Sequence, residues 1–182
     1  MKHMNNRLLL VLLSLFSLQS MAVEPQPELA NAVFPQVQLQ PLVEKTYAEM
    51  SRRYTIFAEQ FNYCQQKPKS ESCQKSYEEV KQSYTAAKAL YDTVEMTQLP
   101  QFMLLESPQG SLSSLNVSLV KLNYLDAELP AEEISDVALL PAVNKWLKAH
   151  DLPATEKLYL LQTLLIESDN LQQQALPPSL QD

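Results

Sequence analysis

The sequence predicts a mostly all-α fold: a disulfide-stapled antiparallel helical hairpin packed on a Leu-rich C-terminal helical bundle. Three observations carry this. The 182 residues include a single Gly and 46% hydrophobic side chains. Residues 42–98 contain one Pro, Pro68, and no Gly. Within that stretch, two runs place apolar residues at alternating steps of four and three, the spacing that lines one helix face against a partner helix.

The N-terminus reads as a secretory signal over 1–22. Lys2 and Arg7 precede the run 8–18, apolar apart from Ser14 and Ser17. That run is too short to span a bilayer, which takes roughly 20 residues. Ser20 and Ala22 supply small residues at the −3 and −1 positions of a cleavage site after Ala22. Cleavage leaves 160 residues with 12 basic and 21 acidic side chains, a net charge of −9. No later apolar run is long enough to act as a transmembrane anchor, so a soluble periplasmic or secreted protein is expected. Bacterial export is preferred. In a eukaryotic secretory pathway, Asn116-Val117-Ser118 would be a glycosylation acceptor.

Residues 23–41 carry Pro25, Pro27, Pro35 and Pro41 among several Gln, which predicts an extended leader lying along the fold through Phe34, Val37 and Leu39. The single helical domain then covers 42–182. Its first part, 42–97, is the hairpin. One arm presents Val43, Tyr47, Met50, Tyr54, Phe57, Phe61 and Cys64; the other presents Cys73, Tyr77, Val80, Tyr84, Ala87, Tyr91 and Val94. Pairing these layer by layer in antiparallel order, Cys64 with Cys73 through Val43 with Val94, gives residue numbers that always add to 137 or 138. One register therefore satisfies the whole seam, with arms about 35 Å long at the usual helical rise.

Export exposes thiols to oxidation, so Cys64 and Cys73 are expected to form a structural disulfide across the turn. Two buried thiols, a redox pair or metal ligands are the rival readings. The spacing is wider than C-x-x-C, and His150 is the sole His of the processed chain, so these rivals lack support. Five Tyr lie on the seam. They read as core residues with hydroxyls at its edge, or, for Tyr47, Tyr54, Tyr84 and Tyr91, as an interaction surface. Ile56 and Leu90 lie off the seam and suit docking on the C-terminal region. The remaining faces of 41–97 hold eight basic and eight acidic residues, the pattern of a solvated surface.

Residues 98–182 are Leu-rich and acidic, with 4 Lys against eleven carboxylates. Helices are expected from Leu112 through Leu122, near 131–149 and near 154–175, the last stopped by Pro177 and Pro178. Pro141 should kink or restart its helix. A short β-hairpin near 102–119 is the competing reading around Ser107-Pro108-Gln109-Gly110. Asp126, Glu128, Glu132, Glu133 and Asp136 form the densest acidic patch. Glu132 and Glu133 follow Pro130, where carboxylates would complement a helix N-terminus; as a group the five would suit docking of a basic partner.

The same inventory excludes several function classes. The acidic balance argues against nucleic acid, one Gly provides no phosphate loop, and no Cys/His cluster suggests a metal or other cofactor. No G-x-S-x-G elbow accompanies His150, which suits a helix C-terminus, and Trp146 reads as core. The expected role is an exported, non-catalytic protein-binding module, an adaptor, chaperone-like protein or inhibitor whose partner is another exported or envelope protein, of basic character. A small-molecule or lipid carrier is the alternative. A cell-envelope hydrolase using only carboxylates is a third.

Overall fold

The computed structural model describes residues 27–177, the side chains of Gln74 and Lys75 excepted. The signal segment over 1–22 and the cleavage point lie outside the described residues, as do 23–26 of the leader and Pro178. The described chain is mainly helical: α1 (Pro27–Val33), α2 (Gln36–Gln66), α3 (Glu71–Thr97), α4 (Leu112–Lys121), α5 (Asp136–Ala149) and α6 (Leu160–Gln173). A 3-10 turn, Gln109–Ser111, leads into α4.

The extended leader is corrected over 27–41, which is helical on both sides of a break at Phe34 and Pro35. The prolines start helices here instead of preventing them. Pro27 opens α1, where a missing N–H has no intrahelical partner to lose, and Pro35 is the N-cap of α2. Of the leader's described prolines, Pro41 is the one inside a helix. The carbonyl it fails to reach belongs to Val37, which is 82% exposed, so water can satisfy it. Phe34 and Leu39 are buried as expected, and Phe34 meets Tyr159 edge-on with ring centroids 5.9 Å apart.

The two long helices span about 46 Å and 40 Å at the standard rise. The turn between them is closed by Lys67 N donating to Tyr63 O at 2.9 Å and Ser70 N donating to Lys67 O at 3.0 Å. Cys64 and Cys73 are disulfide-bonded with their Cα atoms 5.5 Å apart. The rings of Tyr47 and Tyr91, and those of Tyr54 and Tyr84, each lie 5.3 Å apart across the interface. Both pairs obey the predicted register, which fixes α2 and α3 as antiparallel.

On α3 the seam positions Val80, Ala87 and Val94 are buried as expected, but on α2 the buried line is rotated. Tyr47 (53% exposed), Tyr54 (51%) and Phe61 (42%) stand on an open flank, whereas Thr46, Glu49, Arg53 and Gln60 on the other flank are buried. The evenly solvated outer face is therefore corrected at Glu49 and Arg53. A third helix causes the shift. Thr46 Oγ1 and Ser168 Oγ of α6 are 2.8 Å apart, and Arg53 Nη2 donates to Leu171 O at 2.9 Å, so α6 covers α2 one residue to the side of the two-helix seam.

The main core lies at the base of the hairpin, where Leu39, Val43 and Val94 join Leu112, Leu115, Leu119, Trp146, Leu161 and Ile166. Leu90 packs against it, as expected. With one Gly in the chain, the left-handed residues that end α4 and α5 are Asn123 (φ 61°) and Asp151 (φ 57°). Tyr124 N donates to Leu119 O at 2.8 Å and Leu152 N to Leu147 O at 2.9 Å, which satisfies the carbonyls of both final turns.

Around 102–119 there is no β-hairpin; 112–121 is α4. The β-like character of 102–106 is spent elsewhere, since Ser107 N donates to Leu158 O at 2.9 Å and Leu160 N to Leu105 O at 2.8 Å around an isolated antiparallel bridge, Glu106 to Tyr159. The helix expected from 131 begins at Asp136, because Ser135 caps it by accepting from Ala138 N at 3.3 Å. Pro141 lies within α5 without interrupting it, and the last helix runs Leu160–Gln173, ending before Pro177.

Candidate functional site

The open flank of the hairpin is a ladder of rings. Residues seven apart on a helix share a face, so Tyr47 and Tyr54 line up on α2 while Tyr84 and Tyr91 line up on α3. Phe57 stacks on Tyr84 at 5.3 Å and extends the ladder toward the turn through Phe61 at 6.2 Å and Tyr77 at 6.0 Å. These offset and tilted contacts hold the rings in place, so a large apolar surface is presented with little side-chain freedom left to lose. The structure thus brings Tyr47, Tyr54, Tyr84 and Tyr91 onto one surface, stapled at its far end by Cys64 and Cys73.

At the base of the ladder, Gln40, Val43, Glu44, Tyr47, Tyr91, Glu95 and Gln98 line an open groove of about 310 Å³. Tyr91 Oη donates to Glu95 Oε1 at 2.5 Å. This hydrogen bond, reinforced by burial and by the charge of Glu95, pushes the Tyr91 phenol up to about 12. Gln40 Nε2 donates to Glu44 Oε1 at 3.3 Å on the facing helix.

The acidic patch is separate. Asp126, Glu128, Glu132 and Glu133 are exposed on the α4–α5 connection, and Asp136 is exposed in the first turn of α5. Glu132 and Glu133 do not sit at a helix N-terminus, a correction that follows from Ser135 being the cap; Glu133 N instead closes a turn on Pro130 O at 2.9 Å. The connection is anchored from beneath by Leu125, Leu129 and Ile134 against the core. Asn116 is buried and clamps Leu129, donating from Nδ2 to its carbonyl at 3.3 Å and accepting from its N–H at 3.2 Å. A side chain so used is closed to glycosylation.

A smaller groove of about 160 Å³ gathers Glu106, Asp136 and Glu156 beside Lys157 and Leu158. Lys157 Nζ holds Glu106 Oε1 at 2.5 Å, and that hydrogen bond raises the lysine. All three carboxylates are exposed, so the groove lacks the desolvated acid that general-acid catalysis uses. His150 occupies the C-cap of α5: Nδ1 lies 2.9 Å from Trp146 O, its ring stacks on buried Trp146 at 4.1 Å, and Nε2 is 3.7 Å from Asp169 Oδ2. Trp146 Nε1 donates to the same Asp169 oxygen at 2.9 Å.

Sequence reasoning missed the buried pair of Glu49 and Arg53, with Arg52 joining it from the exposed surface. Arg53 Nε donates to Glu49 Oε1 at 2.7 Å and Arg52 Nε to Glu49 Oε2 at 2.9 Å, and Arg53 Nη1 also donates to Ser83 Oγ. The signal available was a Glu followed at i+3 and i+4 by Arg. It did not reveal the third helix packed over Glu49 and Arg53. Comparison of the chain with protein-family models, curated proteins and solved structures finds no match. Among the described residues, no helix is long and apolar enough to cross a membrane.

Proposed function

We propose that the chain is an exported, non-catalytic protein-binding module whose contact surface is the aromatic ladder of the hairpin. The observation that supports this most is the half exposure of Tyr47, Tyr54 and Phe61 on a flank whose rings are already ordered by their neighbours. Pre-ordered aromatic side chains are what interface hot spots are built from, because docking on them costs little conformational entropy. The acidic residues Asp126, Glu128, Glu132, Glu133 and Asp136 add long-range attraction for a basic exported or envelope partner. The signal segment over 1–22 brings the chain to a compartment where Cys64 and Cys73 oxidise.

The test places a photo-crosslinking residue at Tyr54, with Gln82 on the exposed side of α3 as the control. A discrete adduct from position 54, retained at high salt, absent from position 82 and lost in Tyr47→Ala/Phe61→Ala, is the expected result. Equal adducts at both positions, or none at 54, would overturn the proposal.

A further inference from the structure

The geometry points to the groove between Tyr47 and Tyr91 as a receptor for an arginine side chain of the docked partner. This rests on the module reading and names the partner's chemistry. The two rings, one from each hairpin arm, are in contact at a centroid distance of 5.3 Å and an interplanar angle of 58°, and together they wall one side of the groove. Ring faces carry negative charge density and attract a cation placed within about 6 Å of the centroid.

Two carboxylates line the groove beside the rings, Glu44 on α2 and Glu95 on α3. Each is oriented from inside the groove through its Oε1, by Gln40 and by Tyr91 respectively. Neither forms an ion pair among the described residues, and the neighbouring Lys88 is engaged by Asp92 at 2.5 Å. The second oxygen of each carboxylate is left to accept from a ligand.

Guanidinium fits this set better than ammonium. Its plane can lie on a tyrosine face while its edge donates sideways to carboxylates, and it sheds water more readily. The groove also continues into the ladder, because Tyr47 belongs to both. A chain running along the rings therefore delivers a side chain into the groove, and a partner residue is favoured over a free small cation.

The probes are capped pentapeptides of Gly and Ser with a central Arg, Lys or citrulline, titrated into the full chain and followed by heteronuclear NMR. The arginine peptide should bind about tenfold more tightly than its neutral citrulline isostere, and more tightly than the lysine peptide. Glu44→Gln/Glu95→Gln should weaken the arginine peptide about tenfold, whereas Glu59→Gln/Glu79→Gln, the same charge change about 23 Å along the hairpin, should leave it within about twofold. Equal loss in both double variants, or equal binding of the citrulline peptide, overturns the site; the peptide comparison needs no variant to fold. Failure with the Tyr54 adduct retained overturns the groove alone, while loss of that adduct overturns the module reading.

Discussion

Arg53 Nη2 donates to the carbonyl oxygen of Leu171 at 2.9 Å, so a cation from the middle of α2 closes the C-terminal end of α6. The carbonyl also accepts from Gln174 N at 3.2 Å, so the guanidinium is its second donor, and it puts positive charge where the helix dipole is negative. The same guanidinium pairs with buried Glu49. Arg53→Met should therefore cost about 3 kcal/mol, the low end for breaking a buried pair, since Arg52 remains on Glu49. Glu49→Leu/Arg53→Met should recover most of that loss in urea unfolding, because no buried charge is then left unpaired. A double variant as unstable as the two single losses combined would contradict this account.

The staple acts at the other end of the hairpin. Cys64→Ser/Cys73→Ser should lower stability by about 2–3 kcal/mol, from the restored freedom of the unfolded loop. Amide exchange should quicken most around 60–77, with the base of the hairpin, where Thr46 meets Ser168, keeping most of its protection. Uniform loss of protection along both helices would show that hairpin and base unfold as one unit.

Glu167 gives the fold a pH dependence with a definite sign. Burial raises its carboxyl above the ordinary value of 4.5, partly offset by a hydrogen bond with Ser114. The folded state thus holds this proton more tightly than the unfolded chain, a contribution fully present below about pH 4.5 and lost as pH rises through the folded value. Glu167→Gln should raise the melting temperature at pH 7, with an advantage that shrinks toward pH 4. A lower melting temperature at pH 7 would show that the Ser114 bond outweighs desolvation.

Asp151 occupies a left-handed position that most side chains resist, with φ 57°. Asp151→Gly should stabilise the protein by about 0.5 kcal/mol and Asp151→Ala destabilise it by about 1 kcal/mol, read as shifts in the denaturation midpoint. Reversal of that order would locate the importance of Asp151 in its carboxylate.

The hairpin was legible because its information is local: a repeat of four and three over each arm, ended by cysteines that must meet. The rotation of its buried line was not, since α6 lies more than a hundred residues away and leaves no mark on the heptad pattern of α2. Pro27 and Pro35 concealed α1 and the start of α2, because a proline that begins a helix and one that forbids it look alike in sequence. Ser135 was a readable cap, overshadowed by Pro130 five residues earlier. Of the candidate groove, Tyr47 and Tyr91 were visible as surface aromatics. Glu44 and Glu95 blended into an evenly charged exterior, although each stands one helical turn from its tyrosine.

The links that complete the body join Thr46 to Ser168 and Arg53 to Leu171, separated by 122 and 118 residues. Such distant partners find each other slowly compared with neighbours across a tight turn. The hairpin's own links are local by contrast, and Glu49 is already paired with Arg52 and Arg53, both about a turn from it on the same helix. The roof over that charge comes from α6, so the fourteen-residue helix Leu160–Gln173 is the keystone that ties the hairpin to the rest of the fold.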